Sequence, residues 1–269
     1  MQVLNGFQLG SIYALVALGY TMVYGIILLL NFAHGDIIMV GAYISWLVMA
    51  QLGMNPVLAV ILSILGCTLL GVLIDKVAYA PLRNAPRLSI LITAIGVSYF
   101  LENGAQLVFG ADAKVVPAYT DVSTIEVGGV SLRFAAVVTI VVTIVATVVL
   151  TLLVQKSKLG KAMRAVSEDM GAARLMGINV NNTITFTFAV GSALAGIGAV
   201  LYAMGYGQAT PTIGMMLGTK AFLLVGFAEV IVTALGLSVW KDAVVFLLLI
   251  IVLVVRPTGI FGRTMSEKV

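Results

Sequence analysis

The chain has 269 residues, 61% of them hydrophobic and 10% charged, with a formal net charge of +4 and a mean hydropathy of +1.14. Soluble domains carry roughly 25% charged residues, so this composition excludes an ordinary water-soluble enzyme or nucleic-acid-binding module and places the chain in the membrane class. One cysteine, Cys67, and one histidine, His34, leave no disulfide framework and no set of metal ligands.

The N-terminal MQVLNGFQLG contains no Lys or Arg. It lacks the charged start of a cleavable signal, and the first span is expected to stay. Apolar runs then occupy Leu9–Leu30, Ile37–Leu52, Val57–Ala78, Leu88–Phe109, Phe134–Val154, Thr183–Gly205, Met215–Leu237 and Ala243–Val255. In lipid every backbone amide must be bonded within its own segment, so these runs read as helices. The expected fold is an all-α polytopic transmembrane bundle of about eight spans, a single transmembrane domain over 1–269. Gly53-Met54-Asn55-Pro56 reads as a tight turn, with Pro56 suited to a first helical turn. Pro81, Pro86 and Pro257 mark other ends, and Gly110–Arg133 is a longer polar loop with a strand-like piece at Lys114-Val115-Val116.

Lys and Arg in short loops set the orientation. Lys76, Arg83 and Arg87 follow the third span; Lys156, Lys158, Lys161, Arg164 and Arg174 follow the fifth. The loop between the fourth and fifth spans pairs Lys114 and Arg133 with Asp112, Asp121 and Glu126. The first two loops are therefore expected in the cytoplasm and the acidic one outside. The N-terminus then lies outside and Asn31–Asp36 on the cytoplasmic side. Eight crossings also place Arg256, Arg263 and Lys268 outside, against the same rule, so either the rule fails for this end or the last third has an odd number of crossings.

Three polar positions interrupt the apolar pattern. Asn31-Phe-Ala-His-Gly-Asp36 supports two readings. In one, Asn31 ends the first helix, Gly35 supplies an unusual φ and Asp36 caps the next helix. In the other, Asn31, His34, Gly35 and Asp36 form a helix break that lines a translocation path or gate. Glu102 and Asn103 fall in the outer part of the fourth span, where a costly ionisable group marks function, snorkelling or a partner contact. The third is the basic segment 155–182, with Ser167 as an expected N-cap, Glu168 and Asp169 in the following turn and Gly177 as an expected C′ residue. It is either an ordinary interhelical loop or a capped helix that a cytoplasmic partner binds.

Within that segment SKLGKAMRAVSEDMGAARLMGINVNNTITFTFAVGSALAGIGAVLY closely resembles the cytoplasmic coupling segment and next helix of permeases in bacterial branched-chain amino acid ABC transporters. GYTMVYGIILLLNFAHGDIIMVGAY, LIDKVAYAPLR and WKDAVVFLLLIIVLVVRPTGIFGR match the same family, so the resemblance runs nearly end to end. It is similar to the H-type subunit, one of two unlike permeases in such importers. The resemblance implies an inner-membrane location and partners: a second permease, two cytoplasmic ATPases and an external solute-binding protein. It implies ATPase coupling through Gly160, Arg164, Glu168, Asp169, Ala172, Ala173, Gly177 and Ile178, with the small residues Ala172, Ala173 and Gly177 entering a groove on the ATPase. It implies aliphatic amino acids as cargo, with urea or short amides as the alternative. No cofactor, metal or catalytic residue is expected, and the chain has no Gly-x-x-x-x-Gly-Lys-[Ser/Thr] loop. An ion-coupled carrier working alone would need more buried ionisable groups than Glu102, Glu229 and Lys220.

The chain departs from the family in two places. Gly171 stands where many such permeases have Glu before the two alanines. After Gly218-Thr-Lys-Ala-Phe222 the Gly-rich stretch of the family is missing and the sequence resumes at Leu-Leu-Val-Gly226-Phe-Ala-Glu229. About 20 residues, one crossing, are absent relative to the family pattern.

Overall fold

The structure is a computed structural model and describes residues 2–27, 31–83, 85–120, 124–127 and 130–221. Six helices in this range are long and apolar enough to cross a membrane: Phe7–Ile26, Ala33–Gln51, Pro56–Leu82, Leu88–Phe109, Phe134–Lys156 and Val180–Tyr206. They correspond to the first six expected spans. They belong to α1 (Gln2–Ile27), α2 (Ala33–Trp46, continued by a π-turn Leu47–Gln51), α3 (Pro56–Ile74), α4 (Arg87–Phe109), α5 (Phe134–Lys156) and α8 (Val180–Tyr206). α3 continues through a π-turn, Asp75–Tyr79, and a short 3₁₀ turn, Ala80–Leu82. It starts where its turn chemistry dictates: Asn55 is the N-cap, accepting from the Val57 amide at 2.9 Å, and Pro56 takes the first helical position.

Between α5 and α8 lie two short helices, α6 (Lys158–Glu168) and α7 (Met170–Leu175), in the basic segment expected on the cytoplasmic side. The outer loop contributes β1 (Lys114–Val115) and the hairpin of β2 (Thr124–Val127) and β3 (Val130–Arg133). β1 pairs antiparallel with β4 (Gln208–Ala209), just after α8. Of the expected seventh span only α9 (Ile213–Ala221) lies among the described residues. The remainder of Met215–Leu237, the run Ala243–Val255, and Glu229, Arg256, Arg263 and Lys268 lie outside them.

α2 and α8 form the centre of the bundle: 72% and 67% of their spans are buried, against 17% for α4 and for α5. α8 packs its Gly and Ala face into this centre, with Gly191 against the Gly19 backbone of α1 and Gly196 against Ser63 and Ile64 of α3. α2 is stitched to α3 by side chains that bond the facing helix. Ser45 shares a hydrogen bond of 2.8 Å with Ser63, Ser63 donates to the Gly41 carbonyl at 3.0 Å, and the Cys67 thiol donates to the Ile37 carbonyl at 3.3 Å.

The start of α2 differs from expectation. The helix begins at Ala33, not near Ile37, and its N-terminal boundary residue Phe32 has helical dihedrals. Asp36 is therefore inside the helix and does not cap it, and Gly35 has no positive φ. Burial decides this: Ala33 to Met39 are all buried, so Ala33–Asp36 are wrapped by other helices and their backbone is driven to bond within a helix.

Depth differs as well. His34 lies against Gly19, which is about 18 Å along α1 from Phe7. Ile37 is bonded to Cys67, about 16 Å along α3 from Pro56. Asp36 is bonded to Ser98, about 15 Å along α4 from Leu88. With a hydrocarbon core of about 30 Å, three neighbouring helices place His34–Ile37 near the bilayer midplane and not at the cytoplasmic surface. α9 also starts at this level, because Gly214 abuts the backbone of Gly35 and Asp36. Gln208–Thr212 thus carries the chain from the outer end of α8 back into the bundle.

Candidate functional site

Two polar regions stand out, one at the midplane and one in the basic segment 155–182. At the midplane, Asp36 and His34 are each 1% exposed. The Ser98 hydroxyl donates to Asp36 Oδ2 at 2.5 Å, while Asp36 Oδ1 has no hydrogen-bond partner. His34 Nε2 is likewise without a partner, and the imidazole packs edge-on to Tyr20 with ring centroids 4.7 Å apart. Asn31 is buried, and its Oδ1 accepts from the Tyr79 hydroxyl at 2.7 Å while its Nδ2 is unpaired. Buried polar atoms are normally satisfied, so three unpaired ones on a single six-residue stretch mark it as more than a helix junction.

The four expected path residues share this locality but point to different neighbours. His34 faces α1, and Asp36 faces α4 and α9. Gly35 is the crossing point of α2 and α9: a Cβ there would meet the Gly214 carbonyl, and one on Gly214 would meet Asp36. Glu102, half-buried, follows Ser98 by one helical turn on α4. Asn103 is not brought in; it is exposed and donates back to the Tyr99 carbonyl at 2.7 Å. Between α2 and α4, outward of Asp36, lies an apolar groove of about 380 Å³ lined by Val40, Tyr43, Ile44, Leu101, Gly104 and Ala105, with the exposed Phe100 and Val108 along it.

The basic segment is built by capping. Ser157 caps α6, accepting from the Gly160 amide at 2.8 Å, and Gly160 is buried in the corner where α5 meets α6. Arg164 donates to the Gln155 carbonyl at 3.2 Å, and Glu168 is the exposed last residue of α6. The N-cap of α7 is Asp169, not Ser167: its Oδ1 accepts from the Gly171 and Ala172 amides at 2.7 and 3.0 Å, while Ser167 donates to Arg164 within α6. The segment holds two helices because Asp169 breaks the first and starts the second. At the other end Gly177 has φ +81, as its expected C′ role requires. The Gly177 amide bonds the Arg174 carbonyl and the Ile178 amide bonds the Ala173 carbonyl, both at 3.0 Å, closing a Schellman motif.

Ala172 and Gly177 are exposed, but Ala173 is buried within this chain, and Ile178 is half-buried. The small-residue surface is therefore narrower than expected. The outward apolar surface is made by Leu175 and Met176, 90% and 81% exposed, which the sequence reasoning passed over. Ordinary helix periodicity locates them once the α7 boundaries are fixed.

Asp75 was missed as well. It is fully buried in the π-turn after α3. Arg83 Nη2 donates to both of its oxygens at 2.7 and 2.8 Å, and the Thr185 hydroxyl donates to Oδ2 at 2.5 Å. Arg83 Nη1 donates to Asn181 Oδ1 at 2.5 Å. Asn181 and Thr185 are in the first turns of α8, directly after the α7 loop, and Tyr79 on the same π-turn reaches Asn31. A carboxylate inside the apolar run Val57–Ala78 was the available signal.

A bundle of at least six long apolar helices with buried polar groups near its midplane is a polytopic membrane protein. The chain belongs to the family described as branched-chain amino acid transport system / permease component, whose model matches residues 2–225. It is 41% identical to the high-affinity branched-chain amino acid transport system permease protein BraD of Pseudomonas aeruginosa, covering 100% of this chain and 97% of that protein. It is 40% identical to LivH of Escherichia coli with the same coverages, and 28% identical to a probable LivH of Methanocaldococcus jannaschii over 94% and 89%. No solved structure was found to match the chain. The alignment with BraD spans 298 positions against 269 residues, leaving 29 positions of the relative without a counterpart here. The family match ends at residue 225, three residues past Phe222.

Proposed function

We propose that this chain is one permease of an ATP-driven importer for branched-chain or other aliphatic amino acids in the bacterial cytoplasmic membrane. It works with a second, unlike permease, two cytoplasmic ATPases that hydrolyse the ATP, and an external solute-binding protein. The family supplies the class. The observation that carries the coupling role is α7, a six-residue helix closed at both ends, with Leu175 and Met176 exposed on it. A helix this short is marginal alone, and a pair of large apolar side chains in water favours a partner that covers them. The ATPase is that partner. The Asp75–Arg83 pair ties the first turns of α8, which follow α7, to the end of α3, so force applied at α7 reaches the membrane helices through bonded side chains.

The missing 29 positions fall, in this reading, between Phe222 and Leu223, the break in the family pattern. The test is co-purification. The intact complex is expected to retain both ATPases, and a Leu175→Asp, Met176→Asp double variant to lose them while inserting normally. Full retention of the ATPases by the double variant defeats the docking reading.

A further inference from the structure

We infer that Tyr79 is a positioning residue for the buried stretch Asn31–Asp36. It holds the start of α2 in register with α8, so that movement imposed on α7 is delivered to His34 and Asp36. The inference rests on the importer reading above and deepens it by naming the link between the ATPase side and the midplane.

The position of Tyr79 follows from a break in α3. Pro81 cannot donate to the Val77 carbonyl, and its ring crowds that oxygen. The chain leaves α geometry with a π-turn, in which the Ala80 amide bonds the Asp75 carbonyl. Single π-turns inside helices are frequent at functional sites. Two groups on this one hold α8. Asp75 takes the Thr185 hydroxyl and, through Arg83, reaches Asn181. Tyr79, 5% exposed, lays its ring against Phe188, with centroids 5.3 Å apart. Gly71, one turn before Asp75, abuts Ser192 with no room for a Cβ. The end of α3 is thus keyed to the first half of α8, which follows α7 directly after the Gly177 closure.

The same tyrosine also holds α2. Its hydroxyl donates to Asn31 Oδ1 at 2.7 Å, and the Asn31 carbonyl accepts the His34 amide at 3.0 Å in the opening turn of α2. A shift of Tyr79 therefore moves that turn, and with it His34 Nε2 and Asp36 Oδ1, both unpaired. Satisfying Asn31 does not explain the contact, because Asn31 Nδ2 stays bare, and a buried amide held for its own sake pairs both ends. Packing does not explain it either: phenylalanine would fill the place against Phe188, and it is the hydroxyl that reaches α2.

The experiment uses the complete importer, with its binding protein and ATPases, in proteoliposomes loaded with ATP. The readout is leucine imported per ATP hydrolysed. Damage to the fold lowers transport and hydrolysis together and leaves this ratio unchanged. Tyr79→Phe keeps the ring and is expected to lower the ratio about fivefold, the size of one net hydrogen bond, with hydrolysis within about twofold of normal. Asn31→Leu removes the acceptor and is expected to lower the ratio to the same level. The Asn31→Leu, Tyr79→Phe double variant is expected to fall no further, since each change breaks the same bond. An unchanged ratio in Tyr79→Phe overturns the assignment, and so does a double variant whose loss is the product of the two single losses. If Tyr79→Phe fails to assemble, Asn31→Leu decides, and a normal ratio there overturns the assignment. Failure of the unsubstituted complex to import any amino acid defeats the importer reading and this one with it.

Discussion

Gly177 offers a clean perturbation, because a side chain there touches nothing. Its φ is +81, and a Cβ would have no neighbour within 4 Å. Within this chain the effect of a substitution is therefore backbone strain. An L-residue in the left-handed region costs roughly 1–2 kcal/mol, least for Asn, more for Ala and most for a β-branched residue. That strain falls on the two 3.0 Å bonds of the Schellman closure, from the Gly177 and Ile178 amides. The α7 helix has six residues and little margin of its own. A loss of 1–2 kcal/mol changes its folded-to-unfolded ratio by about 5–30-fold. If the ATPase binds only the closed helix, the apparent affinity falls with the closed fraction. ATPase affinity is measured by titrating the purified ATPase onto the permease pair in nanodiscs. Gly177→Asn, Gly177→Ala and Gly177→Val are expected to weaken binding in that order, up to about 30-fold for Val. Equal affinities in all three, or Ala weaker than Val, refute the argument that closure of α7 sets docking.

Arg83→Ala takes from the fully buried Asp75 the two bonds of its guanidinium partner and leaves the Thr185 hydroxyl bonded to it. It is expected to cost about 3–5 kcal/mol, with the Asp75→Ala, Arg83→Ala double variant recovering part of this in detergent thermal melts. Asp169→Ala removes the α7 N-cap and is expected to cost about 1 kcal/mol of helix stability, read as a few-fold loss of ATPase affinity without loss of insertion. Gly214→Ala places a carbon against Asp36 and the α2 backbone; reduced yield of the folded chain by size-exclusion chromatography is expected, and normal yield would show that α9 does not cross α2 this closely.

The spans were legible because lipid forces a simple rule: long apolar runs must be helices, and six of them are found within a few residues of their expected ends. The cytoplasmic caps were half legible. Gly177 announced itself, but the choice between Ser167 and Asp169 depended on where α6 stops, and α6 is continued through Ser167 by its own helical bonds. The midplane position of His34 and Asp36 was hidden. Counting loops places a polar hexamer at a surface, and only contacts from Gly19, Cys67 and Ser98 reveal that the chain turns back into the bundle. Asp75 was hidden for the opposite reason: its neighbour Lys76 drew attention to charge sign and away from the carboxylate inside the apolar run. Ala173 shows the same limit, since sequence marks it as small but not which way it faces.

The stitching of α2 to α3 bears on how this bundle moves. Ser45, Ser63 and Cys67 all grip the α2–α3 seam, and two of the bonds end on carbonyls at fixed heights, Gly41 and Ile37. Sliding one helix past the other by a fraction of a residue breaks all three at once, at about 0.6 kcal/mol each in a bilayer. The seam therefore acts as a detent. Together the three bonds hold α2 and α3 in register against sliding by roughly 2 kcal/mol.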